Sequence, residues 1–599
     1  MVSILESLAV KAKVDELMST MTIPQKIGQM TQAERQSCTP IDVKKYHLGS
    51  VMCGAGSVPG NNKLEDWLTM ADNYWQSSSS KDACHHGIPI LFGVDAIHGH
   101  NNVSEATIFP HNIGLGATND AALIKKIAIL TRKEVLATGL DWVFSPNLAV
   151  AKNPHWGRFY ESFSQSPDIT NNYVSNIITG LQSNLKTEGV IACAKHWVGD
   201  GATTYGLDQG DANLSWKELN KTHISPYVTA INSGVMTIMA SFNSWNGDKC
   251  HGHKFLITEV LKKQLNFSGF VVSDMDGVDY LSDDFYLAIA QSVNSGIDMF
   301  MISRNWKEFI QHVASHIELG TISISRINDA VSRILTVKVA MGLLEAAKPS
   351  KRIGANHKSF GSIEHREIAR ESVRKSLVLL KNHQKILPLN KTARILVTGK
   401  NANNIGHQCG GFTLDWQGVS GNDDFEQATS IWQGIQKIAP NALLKDKVDN
   451  VNSNDHDVAV VVIGETPYAE GFGDIRNDNN LIIEAGSQIN GQINISEPYG
   501  SSVALQKLHP EDYAHIKDLT DKGLPVVVVL ISGRTLIINP ELEAATAFVA
   551  AWLPGTEGQG VSDVLFGDYN FQGKLSFDWP KTLVSSSLPL FPQNFGLQY

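Results

Sequence analysis

Asp274 closes an apolar run, GFVVSDMDG at 269–277, at the point where a strand-like segment gives way to a loop. A carboxylate at the end of a buried strand is where a barrel enzyme places a reacting group. The same arrangement recurs upstream, where LFGVDAIHGH reaches a polar tip at Asp95 and VIACAKHWVGDG reaches Lys195 and His196. Several polar tips on several apolar runs predict one shared pocket. Further along, VVVIGETPYAEGFGD (460–474) ends another apolar run and offers Glu465, Glu470 and Asp474 in a glycine-rich loop. Loops presented by a rigid sheet carry active groups, and Glu465, directly at the strand end, reads as the structural acid of the three. A carboxylate from each half of the chain, meeting across a cleft, would supply the nucleophile and the proton donor that glycoside hydrolysis needs. The ordinary alternatives are a helix N-cap for Asp274 and a capping pair at a strand end for Lys195 and His196.

The elements that must position these groups follow from hydrophobic patterning. From residue 48 to about 302, strand-length apolar runs recur: LGSVMCG, PILFGVD, LDWVFSP, VIACAKH, VMTIMASF, GFVVSD and IDMFMI. Between them lie segments with helical periodicity, such as AALIKKIAILTRKEVLATG and DFYLAIAQSVNSGI. Continuously apolar strands alternating with helices predict a parallel sheet wrapped by helices. The fold class expected is α/β, with an N-terminal (β/α)8-type TIM barrel over 1–345 followed by an α/β sandwich domain. The polar stretch 346–362 reads as a linker. The sandwich is expected over 363–575, opening with a helix over EHREIARESVRKSLVLL, continuing through parallel strands in RILVTG, VAVVVIG, PVVVVLISG and TAFVAAWLPG, and followed by a tail over 576–599. The serine run 77–80 reads as a loop.

Composition bounds the rest. At 599 residues the chain exceeds one core, because single cores stop growing near ~250–300 residues. Hydrophobic residues at 42% against charged residues at 18% exclude a disordered chain. Fifty basic against 60 acidic residues, without a basic cluster, argue against a nucleic-acid partner. The six cysteines lack CxxC spacing and read as buried thiols, neither a zinc cluster nor a disulfide framework. Glu6, Lys11, Lys13, Asp15 and Glu16 interrupt any apolar N-terminal segment, so an amphipathic helix is expected there and no signal peptide. The longest apolar runs fall far short of the ~20 residues of a membrane helix. The expected compartment is the cytoplasm, or the periplasm or exterior if a presequence has been removed.

The blocks MTIPQKIGQM (21–30), GVDAIHGHNNVSEATIFPHNIGLGAT (93–118), NPHWGRFYESFSQ (153–165), KHWVGDGAT (195–203), SFNSWNG (241–247), GFVVSDMDG (269–277), GGFTLDWQG (410–418), GETPYAEGFGD (464–474) and AAWLPGTEGQGVSDVLFGDYNFQGKL (550–575) resemble glycoside hydrolase family 3 in the family's own order. The resemblance is to its two-domain exo-β-glucosidase and β-glucan glucohydrolase type. It implies a retaining mechanism with Asp274 as nucleophile and Glu470 as general acid and then base. It also implies that Asp95 holds the far hydroxyls of the terminal sugar, that Arg158, Lys195 and His196 line the same subsite, and that Met239, Met275, Tyr280 and Trp416 complete the substrate-binding set. Against the best-known plant members, Phe242 replaces a tyrosine, Met275 a tryptophan, Tyr280 an arginine and Gln209 a glutamate. An Asn- and Gly-rich stretch over roughly 475–494 looks like an insertion on the leaving-group side.

Two rival classes bear on the same residues. A metal-dependent amidohydrolase would use His98 and His100 as an HxH pair with Lys195, His196 and Asp274. An inactive sugar-binding relative would keep the fold without the chemistry. The single-domain β-N-acetylglucosaminidase branch is disfavoured because Asp200 occupies the position of its catalytic histidine. GAGSVPG and GTEGQG lack the lysine and context of a phosphate loop. The expectation is therefore an exo-acting retaining β-glucosidase, removing terminal non-reducing β-D-glucosyl residues from glucose-containing β-linked oligosaccharides or polysaccharides by double displacement. It needs no cofactor or metal, binds no nucleic acid, inserts in no membrane, and is a monomer or homodimer.

Overall fold

The computed structural model describes residues 4–82, 85–355, 358–477, 488–489, 492–493, 498–582 and 588–599. Most of the 475–494 stretch singled out above therefore lies outside the described residues. Eight short strands form the first sheet: β1 (Thr31–Glu34), β2 (Ser50–Cys53), β3 (Leu91–Val94), β4 (Trp142–Val143), β5 (Ile191–Trp197), β6 (Thr237–Ala240), β7 (Phe270–Val272) and β8 (Phe300–Ile302). They pair in chain order, every pair parallel. The ring is completed by β8 against β1, with Thr31 opposite Phe300, and by a bridge from Val272 to Met299. Both faces of these strands are covered, one by the packed interior and one by helices, which is why they read as unbroken apolar runs. Strand β1 is the exception. Its sequence, TQAE, carries Thr31 and Gln32 fully buried, with the Gln32 Nε2 donating to Ser50 Oγ at 2.7 Å, so polar residues occupy buried positions and hydrophobic patterning passed it by.

The second sheet contains β9 (Val378–Asn382), β10 (Ile395–Thr398), β11 (Leu443–Leu444), β12 (Val458–Gly464), β13 (Val526–Ile531) and β14 (Ala547–Trp552), in the order β9-β14-β13-β12-β10-β11. All pairs are parallel except β9 with β14. Two expectations are corrected here. The helix read over EHREIARESVRKSLVLL stops at Ser376, and VLL begins β9, an antiparallel strand in a sheet expected to be parallel. Val378, Leu379 and Leu380 are consecutively buried, which suits a strand covered on both faces and not a helix with one exposed side. The serines at 77–79 are also not a loop: they end the helix Leu64–Ser79. Residues beyond 588 pack back on the sheet, with Leu597 bridging Leu379, and the Trp579 indole donates to Leu536 O at 2.6 Å.

The two sheets share more than a linker. The hydrophobic core under the second sheet includes Ile113, Ala117, Trp156, Phe159 and Tyr160 from the barrel half, while Ala369 of the helix Ile363–Ser376 belongs to the barrel core. Lys375 of that helix pairs with Asp120 at 2.8 Å, and His365 Nδ1 meets Glu134 at 2.7 Å. The residue Cys84 lies outside the described residues; the other five cysteines are buried free thiols. Among the described residues, no helix is long and apolar enough to cross a membrane.

Candidate active site

A cavity of ≈ 920 Å³ opens at the C-terminal ends of the barrel strands, where the second domain faces them. It is lined by Asp95, Arg158, Lys195, His196, Met239, Asp274, Met275 and Tyr280 from the barrel half and by Trp416 and Glu470 from the other half. Every residue expected at the site thus faces one cavity. Asp95 directly follows β3, Lys195 and His196 lie within β5, Met239 lies within β6 and Asp274 follows β7 by two residues. Arg158 precedes the 3₁₀ turn Phe159–Glu161, and Tyr280 sits in the turn Gly277–Leu281. Strand ends converge because a closed parallel sheet points all its carboxyl ends the same way.

The two oxygens of Asp274 differ. Oδ1 accepts the amide of Met275 at 2.8 Å, whereas Oδ2 is buried and receives no hydrogen bond among the described residues. The Asp274 amide is itself held by His251 Nε2 at 2.9 Å. His196 explains why Oδ2 stays bare. Its Nδ1 meets Asp200 Oδ2 at 2.8 Å and its Nε2 faces Arg158 Nη2 at 3.2 Å. Arginine can only donate, so Nε2 carries the lone pair and Nδ1 the proton. Burial, with the positive charges of Arg158 and Lys195, holds the His196 pKa well below the usual value, and a neutral ring 3.5 Å from Asp274 Oδ2 presents no proton to it.

Arg158 organises the acids. Its guanidinium grips Glu161 through Nε at 2.7 Å and Nη2 at 3.1 Å, and its Nη1 reaches Glu470 Oε1 at 3.5 Å. Arg158 therefore touches Glu161, Glu470 and His196 together, with Asp274 Oδ2 3.5 Å beyond the His196 ring. Burial raises Asp274 to about 6 against the pull of Arg158 and Lys195. Burial raises Glu470 to about 8, helped by the negative charges of Asp208, Asp274 and Glu161 and opposed by Arg158. Two carboxyls whose environments push their pKa values apart are suited to different roles. Lys195 Nζ lies 3.4 Å from Asp95 Oδ1, so a donor and an acceptor for sugar hydroxyls sit side by side at the barrel end of the cavity.

Glu470 enters from the turn Glu470–Gly473 after β12 with φ 54°, a left-handed conformation that is uncommon outside glycine and concentrates at functional sites. Gly157 makes this approach possible: a Cβ there would lie 1.9 Å from the Glu470 carbonyl oxygen. Glu465 is elsewhere. Fully buried, it binds Arg534 Nε at 2.8 Å, Tyr468 Oη at 3.0 Å and the Gly533 amide at 2.8 Å.

Residues 22–337 match the family model described as the glycosyl hydrolase family 3 N terminal domain, and residues 377–599 match its C-terminal domain. The chain belongs to glycosyl hydrolase family 3. An exo-1,3/1,4-beta-glucanase from a Pseudoalteromonas species superposes with a TM-score of 0.91 at 42% identity, over 99% of this chain and 74% of that one. A beta-glucosidase from Listeria innocua, solved with isofagomine, gives 0.81 at 25% identity over 98% of this chain and 83% of that one. Among curated proteins, the lysosomal beta glucosidase of Dictyostelium discoideum is 30% identical over 634 residues, 96% of this chain and 73% of that protein.

Within this family 3 cavity the sequence departures have visible neighbours. Tyr280 packs edge-on to Phe242 at 5.3 Å, with the Lys249 ammonium 5.8 Å from its ring centre. Lys249 in turn donates to the carbonyls of Gln209 and Phe242 at 3.0 and 2.9 Å. Trp416, 39% exposed, meets Phe472, 36% exposed, edge-to-face at 5.5 Å. The second domain thus brings an aromatic pair to the cavity that Met275 also lines. Phe472 and Asp208 are lining residues that sequence reasoning missed. Phe472 was legible as the lone aromatic in the AEGFGD loop, but Asp208, in GLDQG, carried no signal beyond flanking glycines. His98 and His100 do not line this cavity. His98 bonds Phe109 O at 2.9 Å and stacks on His111, and His100 Nε2 bonds Thr138 Oγ1 at 2.8 Å, so the HxH pair of the amidohydrolase reading serves packing.

Proposed function

We propose that this family 3 glycoside hydrolase is a retaining exo-β-glucosidase, with Asp274 as nucleophile and Glu470 as acid and then base, acting on terminal β-D-glucosyl residues. The observation that carries the reading is the pairing of an undonated Asp274 Oδ2 with a carboxyl raised to about 8 from the opposite domain, both on one cavity. In the first step Oδ2 attacks the anomeric carbon, the glycosidic C–O bond breaks, and Glu470 delivers its proton to the departing oxygen. In the second step Glu470, now ionised, takes a proton from water, whose oxygen displaces Asp274 and restores the starting state. Asp95, Lys195, Arg158 and His196 are the proposed glycone contacts; Met239, Met275, Tyr280 and Trp416 are proposed to line the rest of the sugar path. The division into a barrel lobe over 1–345 and a sandwich lobe over 363–575, joined by 346–362 and followed by a tail from 576, is part of the same reading. Support for exo action on glucans comes from the activity named for the Pseudoalteromonas relative, and for glucosides from the Listeria and Dictyostelium proteins.

Incubation with a 2-deoxy-2-fluoro-β-glucoside, followed by digestion and mass mapping, is expected to place the adduct on the peptide containing Asp274; a label elsewhere would overturn the assignment. Product analysis on laminaribiose, cellobiose and an aryl xyloside is expected to show glucose release from the disaccharides. The xyloside arm addresses a 28% identical relative named beta-xylosidase, from Formosa agariphila, matched over 98% of this chain and 79% of that protein.

A further inference from the structure

Four residues beyond Glu470, Asp474 is 2% exposed and sits on the seam between the two halves. Its Oδ1 accepts the amide of Gly157 at 2.8 Å and its Oδ2 the amide of Asp208 at 2.9 Å. Both donors belong to barrel loops, one immediately before Arg158 and the other on a cavity-lining residue. The surroundings reinforce the seam. The Ile475 amide donates to His155 O at 2.9 Å, and Arg534 Nη2 donates to Gly473 O at 2.6 Å while its Nη1 donates to Pro154 O at 2.8 Å. The Asp208 carboxyl is tied by the Trp156 indole at 3.0 Å. Trp156, Gly157 and Arg158 therefore address, in order, Asp208, Asp474 and Glu470.

An acid that merely capped its own turn would accept amides from its own segment. Asp474 instead spends one oxygen on each of two main-chain donors from separate barrel loops, and it does not line the cavity. Its shortest route to the chemistry is Glu470, whose turn it terminates and whose carbonyl presses into the space a Cβ on Gly157 would need. We infer that Asp474 is a positioning residue: its side chain locks the Glu470 turn to the two barrel loops beside the sugar, so that the proton donor of one domain is registered against the nucleophile of the other. This inference rests on Glu470 being the acid and base.

The test compares Asp474→Ala, Asp474→Asn and Glu470→Ala in the full chain on two substrates. Laminaribiose has a poor leaving group that needs protonation; 2,4-dinitrophenyl β-glucoside does not. Misplacing a catalytic group by about 1 Å can cost about 10²-fold, so Asp474→Ala is expected to lose about 10²-fold in kcat/KM on laminaribiose and less than about tenfold on the dinitrophenyl glucoside. Inhibition by gluconolactone, which reports the glycone pocket, should hold steady. Asp474→Asn keeps one carbonyl acceptor and the side-chain shape, should fold if the alanine variant does not, and is expected to show the same selectivity at smaller amplitude. Equal losses on both substrates, or lowered thermal stability with no change in selectivity, would overturn the positioning role. If Glu470→Ala shows strong leaving-group selectivity and neither Asp474 variant does, only the Asp474 inference falls. If Glu470→Ala shows none, the acid assignment falls and takes this inference with it.

Discussion

Asp274 and Glu470 are both carboxyls raised by burial, yet their neighbours separate them. Arg158 pulls both down, but Asp274 also feels Lys195 and is raised only to about 6, while Glu470 feels the negative charges of Asp208, Asp274 and Glu161 and is raised to about 8. The proposed cycle needs Asp274 ionised, so activity should climb as pH rises through about 6. It needs Glu470 protonated, so activity should decline as pH rises through about 8. A bell-shaped kcat/KM profile with limbs near those values is expected, since such profiles report the free enzyme's acid and base. Glu470→Ala, assayed on the dinitrophenyl glucoside, should lose the alkaline limb, and azide should accelerate its turnover by replacing the base-activated water. If that limb persists in the variant, a different group controls it.

At the scale of elements, strand ends decide which acids are free for chemistry. Glu465 at the tip of β12 and Glu470 five residues on were both candidates, and β13 separates them: the loop after it supplies Arg534 and the Gly533 amide to Glu465. Glu465 and Arg534 are both fully buried. Removing one member of a buried pair leaves an uncompensated charge, at about 3–5 kcal/mol. Arg534→Ala is therefore expected to lower stability by about 3–5 kcal/mol, read as a fall in the urea midpoint. A shift under about 1 kcal/mol would mean the pair contributes only what an exposed one does. Seven of the eight barrel strands were legible as apolar runs because both of their faces are buried. Strand β1 was not, because Thr31 and Gln32 are buried polar residues, the latter donating to the Ser50 hydroxyl, and they interrupt any apolar run. Strand β9 was misread because a short apolar run after a helix continues its periodicity, and only pairing with β14 makes VLL a strand.

At the scale of the molecule, the cavity exists only while the two halves stay registered. Barrel residues Trp156, Phe159 and Tyr160 are part of the sandwich core, the Tyr160 hydroxyl donates to Tyr468 O at 2.9 Å, and Asn101 Nδ2 donates to Phe412 O at 2.6 Å. An interface that contributes to a core should not open independently of it. Thermal unfolding is expected to give coincident transitions by near-UV circular dichroism, far-UV circular dichroism and loss of activity. Activity lost well before either optical signal would mean the halves part first.

Sequence alone determined the fold class and marked Asp274, Asp95 and Lys195 as polar strand tips, because an apolar run that ends in such a residue records a local fact: buried backbone giving way to a polar tip. It also carried the AEGFGD loop, whose glycines accompany an acid in a left-handed turn. What needed the tertiary structure were relations between distant segments. Asp208 faces the same cavity as Glu470, His196 turns its lone pair toward Arg158, Asp474 takes amides from two barrel loops, and Glu465 is consumed by Arg534. Protonation, hydrogen-bond direction and registry across a domain seam depend on distances through space, and spacing along a chain does not encode them.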